Sequence, residues 1–180
     1  MKTSLLHILL LCCIPALGQD YTYIHYNSKD GLASSTVYRM CQDKKGYMWF
    51  ATDNGVSMFD GKKFTNYTIK DGLTDNEILS IYADSKGRVW LLPFGSKPCY
   101  YYEGKIHSPD NDSSLRKLRL PSFAPIGGEN EKGELFFWTS DGIVLFKNSG
   151  ETKLVADYRK LSKQYSLPLS NFIATYRPRS

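Results

Sequence analysis

The stretch QDKKGYMWFATDNGVSMFDGKKF, Gln42 to Phe64, returns in altered form as ADSKGRVWLLPFGSKPCYYYEGKI, Ala83 to Ile106. Three kinds of residue recur at a spacing of 41 positions, namely Asp43 and Asp84, Gly46 and Gly87, and Trp49 and Trp90. The segment FDGK at 59–62 returns as YEGK at 102–105, a spacing of 43, so the second copy carries two extra residues. The chain is therefore built from repeats.

Further copies follow the first two. In NEKGELFFWTSDGIVLF, residues 130–146, Gly133, Phe136 and Gly142 take the places of Gly46, Trp49 and Gly55. Near the end, SLPLSNFIATY at 166–176 resembles the Gly-Leu-x-x-Asn-x-Ile opening of the second copy. We read this last segment as the start of a fourth copy.

A repeat of about 40 to 45 residues that holds four short strands is typical of a β-propeller blade. In the first copy we predict strands at 37–42, 47–52, 56–59 and 64–69, separated by Asp-x-x-Gly, Asp-Asn-Gly and Asp-Gly turns. The sequence thus predicts an all-β fold of four-stranded antiparallel blades, about three blades plus the start of a fourth, forming an incomplete propeller. The expected ranges are 24–64, 65–106 and 107–150, with the next blade starting in 164–180.

The recurring residues have structural explanations. An Asp side chain can accept hydrogen bonds from turn amides, and Gly supplies a left-handed backbone. A Trp can fill the gap between neighbouring blades, because one four-stranded sheet cannot bury its faces alone. We therefore expect structural roles for Asp43, Gly46, Trp49, Gly55, Asp84, Gly87, Trp90, Gly133, Phe136 and Gly142.

The N-terminus has the pattern of a secretory signal peptide. Lys2 supplies a positive charge, residues 5–14 are apolar, and Ala16-Leu17-Gly18 is a small-x-small cleavage site. We expect residues 1–18 to be removed and residues 19–180 to be exported. Of the four Cys, the mature part keeps Cys41 and Cys99, which could form a disulfide or remain two buried thiols.

The composition excludes some classes of function. A 42% hydrophobic content with 23% charged residues suits a folded globular protein. The formal charge of +5 is mild and the basic residues are spread along the chain, which argues against a nucleic-acid groove.

The first copy resembles the two-component regulator propeller repeat. The resemblance is carried by Asp43, Gly46, Trp49, Thr52, Gly55, Phe59-Asp60-Gly61, Phe64, Tyr67, Asp71-Gly72-Leu73, Asn76 and Ile78. The second copy departs from the pattern at Leu92-Pro93 and Ser96, and the third lacks the Trp. The resemblance covers roughly residues 23–176.

This resemblance implies the extracytoplasmic ligand sensor of a bacterial, membrane-bound and sometimes hybrid sensor histidine kinase. The expected partners are a small-molecule or glycan-derived ligand, the remainder of a longer chain, and a second copy in a homodimer. We expect no nucleic-acid partner in this segment. We expect association with a membrane only through a transmembrane span that lies beyond this sequence. Nothing in the sequence resembles a kinase or receiver motif, so the segment is expected to be non-catalytic. We expect neither a cofactor nor a metal.

The place where the second copy breaks the repeat is the best candidate for ligand contact. The stretch PFGSKPCYYY, residues 93–102, contains Lys97, Tyr100, Tyr101 and Tyr102, and aromatic platforms with a few polar groups suit sugars. Packing in the core is the alternative for one or two of these tyrosines. The stretch PDNDSS at 109–114 offers carboxylates to calcium but lacks the Gly and the distal Glu of a calcium loop.

Other features leave alternatives open. Residues 115–120 could be the inner strand of the third blade or part of a loop. Asn66 and Asn111 fit the N-glycosylation pattern, which matters only where the source glycosylates. The alternatives to a sensor are a secreted propeller that acts as an interaction scaffold and a carbohydrate-active propeller enzyme such as a lyase.

Overall fold

The computed structural model describes residues 23–94, 97–118, 120 and 124–166. The predicted signal peptide, and the predicted fourth repeat beyond Ser166, lie outside the described residues. Among the described residues no helix has the length and apolar character needed to cross a bilayer.

The described strands form three sheets of four, taken in chain order. The first sheet holds β1 (Val37–Gln42), β2 (Met48–Thr52), β3 (Gly55–Phe59) and β4 (Phe64–Tyr67). The second holds β5 (Ile78–Ala83), β6 (Val89–Pro93), β7 (Cys99–Tyr102) and β8 (Lys105–His107). The third holds β9 (Ile126–Glu129), β10 (Leu135–Trp138), β11 (Gly142–Phe146) and β12 (Thr152–Asp157).

In every sheet each strand pairs antiparallel with its neighbour in the chain. This up-and-down arrangement needs only short turns, which the repeated Asp, Asn and Gly residues supply. The all-β class and the four-stranded antiparallel blades predicted from the sequence are confirmed. We call the sheets blades 1, 2 and 3.

Each blade has two ends. The turns between its first and second strands and between its third and fourth strands lie at one end, the lower rim, at residues 43–47 and 60–63 in blade 1. The turn between the second and third strands and the connection to the next blade lie at the opposite end, the upper rim, at 53–54 and 68–77.

The blades pack face to face in chain order. Trp49 and Ala51 of blade 1 share one buried core with Val89 and Leu91 of blade 2. We call the face of a blade that packs on the following blade its forward face and the opposite face its back face. Side chains alternate between the two faces along each strand, so one strand serves both interfaces.

The same arrangement joins blades 2 and 3. Trp90 and Leu92 on the forward face of blade 2 share a core with Leu135 and Phe137 on the back face of blade 3. Trp49 and Trp90 are both 0% exposed. Each indole therefore lies as a wedge between two blades.

Phe136 was expected to be the third such wedge. It lies on the forward face of blade 3, where it pairs with Leu145 across β11 and with Gly128 across β9. Its side chain is only half-buried, whereas Leu135 and Phe137 on the back face are buried. The difference arises because no described residue packs as a blade on this forward face.

The strands of the three blades span 37–67, 78–107 and 126–157, which differs from the predicted ranges. The boundary at 64 cuts through β4, and the end at 150 excludes β12.

The insert between blades 2 and 3 is not a strand over its described residues 115–118, so the first alternative, an inner strand of blade 3 at 115–120, was wrong. It contains a short helix α1 (Ser113–Lys117), and the inner strand of blade 3 is β9. Leu115, Leu118 and Leu120 are buried in the core between blades 2 and 3. The apolar residues of this segment thus fill the interface instead of extending a sheet. A second helix, α2 (Tyr158–Tyr165), follows β12.

The recurring Asp-Gly-Leu has a local physical cause. In the connection before blade 2, Ile69–Asp71 form one turn of 3-10 helix, and the Asp71 carboxylate accepts the N–H of Thr68 at 2.8 Å in a capping box. Gly72 ends the turn at φ 104°, a left-handed conformation that favours glycine. Leu73 is buried behind it. Asp30, Gly31 and Leu32 repeat this arrangement before blade 1.

Candidate ligand-binding surface at the upper rim

The recurring acidic residues point inward at the lower rim. Asp84 accepts hydrogen bonds from the backbone N–H groups of Lys86 and Arg88, both at 2.9 Å, from Arg88 Nε at 2.6 Å, and from Trp90 Nε1 at 2.9 Å. Asp43 binds Trp49 Nε1 in the same way at 2.8 Å. These carboxylates fix the turn and orient the wedge indole. Their hydrogen-bond acceptor sites are therefore used within the fold itself.

In blade 3 an amide takes the place of the carboxylate. Asn130 Oδ1 accepts the N–H groups of Lys132 and Glu134, both at 3.0 Å. The glycines of the three turns, Gly46, Gly87 and Gly133, all have positive φ, at 86°, 81° and 66°. The turn therefore keeps its shape although no indole is bound to it.

The three tyrosines of residues 100–102 lie in interblade packing. Tyr100 is 9% exposed and belongs to the core between blades 2 and 3, against which Tyr102 also packs. Tyr101 points to the opposite face, and its ring centroid is 4.7 Å from that of Trp49. Lys97 is exposed. The structure therefore does not bring the tyrosines together with Lys97 as one platform.

Tyr100 also holds the insert. Its hydroxyl donates to Asp112 at 2.6 Å, and its ring stacks on His107 with centroids 4.9 Å apart. Burial, followed by the contact with Asp112, raises the pKa of Tyr100 above its usual range. Burial alone would raise the pKa of Asp112, but the hydrogen bonds from Tyr100 and Ser114 outweigh it and hold the pKa low. The pair thus remains a neutral phenol bound to a carboxylate at neutral pH.

A different group of residues lies at the upper rim. The Tyr38 hydroxyl of blade 1 donates to the Glu77 carboxylate of blade 2 at 3.0 Å. The carbonyl of Glu77 accepts the Phe94 N–H at 3.3 Å, and the Phe94 side chain is 67% exposed. We call Tyr38, Glu77, Phe94 and Lys97 the upper-rim patch.

The loop that carries Phe94 and Lys97 departs from the repeat for a visible reason. In blades 1 and 3 the turn is closed by a threonine, whose Oγ1 donates to a glycine carbonyl at 2.8 Å in Thr52 and at 2.9 Å in Thr139. Pro93 stands in that place in blade 2 and has no hydroxyl. The longer loop is instead anchored by the Thr74 hydroxyl, which donates to the Lys97 carbonyl at 2.6 Å.

The patch combines complementary chemistry. An exposed aromatic ring can stack on an apolar ligand face, while a carboxylate accepts hydroxyl or ammonium donors and an ammonium group donates to acceptors. Because Tyr38 already holds Glu77, the carboxylate is oriented before any ligand arrives. These groups have the chemistry that a small polar ligand with an apolar face requires.

The sequence pointed to only part of this patch. Lys97 was a sequence candidate for ligand contact. Phe94 lies in the same stretch, residues 93–102, which stands out because the Thr of the repeat is missing there. Tyr38 and Glu77 were missed, because their contact joins two blades at a β-bulge in β1 that no local pattern marks.

The other sequence candidates are engaged in the fold. Asn66 accepts from the Ser57 hydroxyl at 2.7 Å and donates to the Gly31 carbonyl at 2.9 Å. Asn111 donates to the Ile106 carbonyl at 3.1 Å and accepts the Ser108 N–H at 2.9 Å. Over the part of the chain that the structure describes, no group of three or more His, Cys, Asp or Glu residues is arranged to hold a metal ion.

Cys41 and Cys99 are free thiols in the structure, so the disulfide left open by the sequence is not formed there. Burial, with a smaller contribution from Asp43, raises the pKa of Cys41 to about 11. Burial also raises the pKa of Cys99. Both thiols are therefore protonated at neutral pH and are poor nucleophiles.

Three consecutive four-stranded blades with shared interblade wedges define the chain as a segment of a β-propeller. Residues 31–54 and 72–94 match the profile of the family described as two component regulator propeller. These two segments resemble the repeats of this family, in agreement with the resemblance noted in the sequence. The matched segments include the first two strands of blades 1 and 2.

Solved structures support the fold. An extracellular domain assigned to a hybrid two component system of B. thetaiotaomicron is similar at a TM-score of 0.55 and 21% identity, over 77% of this chain and 19% of that one. An extracellular domain assigned to a one component system of the same organism is similar at a TM-score of 0.55 and 17% identity. That similarity covers 75% of this chain and 18% of the other. A streptogramin B lyase is similar at 0.51 and 17%, over 77% and 44%.

At identities this low, the structural similarity shows a shared fold and nothing further. The chain spans about a fifth of the length of the two extracellular domains. No curated protein matches the chain at a significant level.

Proposed function

We propose that this chain is the extracytoplasmic ligand-sensing propeller region of a two-component sensor kinase and is itself non-catalytic. The observation that carries the proposal is the pair of adjacent family repeats, 31–54 and 72–94, which fold as neighbouring blades. Two of the similar structures are extracellular domains assigned to signalling systems, which supports the same assignment. The predicted signal peptide adds an independent reason to place the region outside the cytoplasm.

We assign ligand contact to the upper-rim patch. It includes side chains of two blades and residues of the loop that departs from the repeat. It also has an exposed aromatic residue, Phe94, whose backbone N–H binds the carbonyl of Glu77, the residue with the oriented carboxylate. The repeat's own structural needs explain neither the exposed Phe94 nor the longer loop. The proposed ligand is a small polar molecule with an apolar face, and a glycan-derived compound has that chemistry.

The binding test uses the complete natural protein and isothermal titration with a panel of neutral oligosaccharides, acidic oligosaccharides and amino acids. We expect one class to bind, and we expect Phe94→Ala and Glu77→Gln to weaken that binding. Lys97→Ala should weaken it as well, whereas Lys62→Ala, an exposed lysine at the lower rim, serves as the matched control.

The signalling test measures transcription from the system's target promoter in cells. A sensor region must transmit the signal, so the patch variants that lose binding must also lose the response. A normal response after deletion of the whole propeller region would contradict the proposed function. A membrane-free protein that binds a partner without any such response would favour the scaffold alternative, and turnover of a glycan would favour an enzyme.

A further inference from the structure

The connection between blades 1 and 2 is fixed on both sides of Thr74. On one side Leu73 is buried in the core. On the other side the Asn76 side chain accepts the Ile69 N–H at 3.0 Å, and the Asn76 carbonyl accepts the Gly55 N–H at 2.6 Å. Thr74 therefore belongs to a segment whose backbone is held in place before and after it.

This connection makes two hydrogen bonds to the longer loop of blade 2. The Thr74 hydroxyl donates to the Lys97 carbonyl at 2.6 Å, and the Glu77 carbonyl accepts the Phe94 N–H at 3.3 Å. Both described ends of the loop are thus tied to one segment. The bond from Thr74 is the one of the two that a side chain supplies, so a substitution can remove it without altering the backbone.

The backbone of Lys97 is restricted from its other side as well. Pro98 follows it, and a residue that precedes proline is largely confined to extended conformations. Cys99, the first residue of β7, is buried, and its Sγ lies 3.9 Å from the Thr74 hydroxyl. The Lys97 backbone is therefore held between the Thr74 hydroxyl and the start of a strand, while Lys97 itself is exposed.

Blade 1 solves the same problem without a hydroxyl. The residue 41 positions before Thr74 is Ala33. There the Asn54 side chain, which belongs to the short turn of blade 1, donates to the Ala33 carbonyl at 3.4 Å. The donor thus lies on the turn in blade 1 and on the connection in blade 2. Because a blade can form with alanine at this position, the needs of the repeat do not explain Thr74.

We propose that Thr74 is a positioning residue of the upper-rim patch, whose hydroxyl holds the Lys97 backbone so that the Lys97 ammonium group meets the ligand from a fixed origin. A fixed backbone leaves fewer conformations to be lost on binding and so raises affinity. Thr74 itself acts through Lys97 and needs no contact with the ligand. The assignment rests on the proposed ligand-sensing function, since it takes Lys97 as a ligand contact.

The test is isothermal titration of the complete natural protein and its variants with the panel of oligosaccharides and amino acids. Thr74→Val removes the hydroxyl and keeps the branched shape, whereas Thr74→Ser keeps the hydroxyl. We expect Thr74→Val to weaken binding about three- to tenfold, as the loss of one hydrogen bond would, and Thr74→Ser to bind as the natural protein does. Unchanged affinity of Thr74→Val, or equal weakening by both variants, would overturn the proposal.

A double-mutant cycle tests whether Thr74 acts through Lys97. In a Lys97→Ala background, Thr74→Val should weaken binding no further, and additive losses would overturn the proposal. Thr139→Val is the matched control, because it removes a hydroxyl that donates to the Gly142 carbonyl at 2.9 Å in blade 3. The control should lower Tm and leave affinity unchanged. A loss of affinity in the control as large as that in Thr74→Val would show that affinity merely follows stability, which also overturns the role of Thr74.

A measurement without ligand separates this proposal from the proposed function. Hydrogen exchange of the Phe94 amide, followed by NMR, reports how often the loop opens. We expect faster exchange in Thr74→Val and natural exchange in Thr74→Ser. Unchanged exchange in Thr74→Val would overturn the anchoring of the loop by Thr74, whereas failure of the natural protein to bind any compound would contradict the proposed ligand function.

Discussion

At the scale of single residues, the repeat is held by a carboxylate that serves three partners. Asp84 is 2% exposed and binds turn amides, the Arg88 side chain and the Trp90 indole. One side chain thus closes the turn and fixes the rotamer of the interblade wedge. This double role explains why Asp and Trp recur together at a fixed spacing.

Removing the Asp84 carboxylate should lower the stability of the fold. We expect Asp84→Ala to lower the free energy of unfolding by about 2–4 kcal/mol, because it leaves several buried donors unpaired. Urea unfolding measures the change. Asp141→Ala is the control, since Asp141 makes one exposed ion pair at 3.4 Å with Arg159, and it should cost about 0.5 kcal/mol or less. Equal costs would contradict the role of Asp84.

The close approach of Gly127 to Trp138 gives a second prediction. Gly127→Ala should destabilise the protein by about 1–3 kcal/mol, because the new methyl group overlaps the indole. In a Trp138→Ala background the same substitution should cost almost nothing. A double-mutant cycle from urea unfolding measures this coupling, and additive effects would show that the two residues do not meet.

The burial of the two free thiols, Cys41 and Cys99, can be tested by chemical labelling. With the pKa of Cys41 raised to about 11 by burial, its thiolate is scarce at pH 8. Iodoacetamide should label Cys41 and Cys99 slowly in the native protein and rapidly in urea. Labelling of neither residue in urea without reductant would indicate a disulfide and contradict the free thiols of the structure.

At the scale of elements, the insert between blades 2 and 3 is the main departure from the repeat. Asp112 caps α1 by accepting the Ser114 N–H at 2.8 Å and also accepts the Tyr100 hydroxyl at 2.6 Å. Through this residue the helix is tied to blade 2, while Leu115 and Leu118 enter the interblade core. The insert is thus a structural part of the interface.

The Asp112 carboxylate makes this tie dependent on pH. Its pKa is lower in the folded chain than in the unfolded chain, where Asp titrates near 4. Its contribution to stability is therefore full above pH of about 4 and is lost as pH falls through the folded pKa. We expect Asp112→Asn to be less stable than the natural chain at pH 7 and to lose less stability on acidification to pH of about 3, as measured by Tm. Parallel curves of Tm against pH would contradict this role.

The strands of blade 1 could be predicted because their turns carry Asp, Asn and Gly at positions that demand them, such as Gly55 at φ 108°. The helix α1 could not, since its buried leucines have the same apolar pattern as a strand. The contact of Tyr38 with Glu77 could not be predicted from the sequence either, because it depends on how blades 1 and 2 pack against each other.

Across the described residues the chain is a series of blades. The forward faces of blades 1 and 2 are buried because the following blade packs on them. Stability in such arrays is the sum of blade and interface contributions. Repeat spacing predicts this series and the positions of its wedges in blades 1 and 2. In blade 3 the aligned residue, Phe136, is only half-buried, because no described residue packs as a blade on its face.

Consecutive repeats pack as blades around a shared indole, and the contact between Trp49 and Tyr101 is the sharpest test of this arrangement. These residues belong to different sheets, and their ring centroids are 4.7 Å apart. The measurement is a double-mutant cycle with Trp49→Leu and Tyr101→Leu in urea unfolding, with Trp49→Leu and Phe146→Leu as a control pair drawn from different interfaces. The predicted result is a coupling of about 0.5–1.5 kcal/mol for the first pair and none for the control. Additivity of the first pair within about 0.3 kcal/mol would contradict the shared interface.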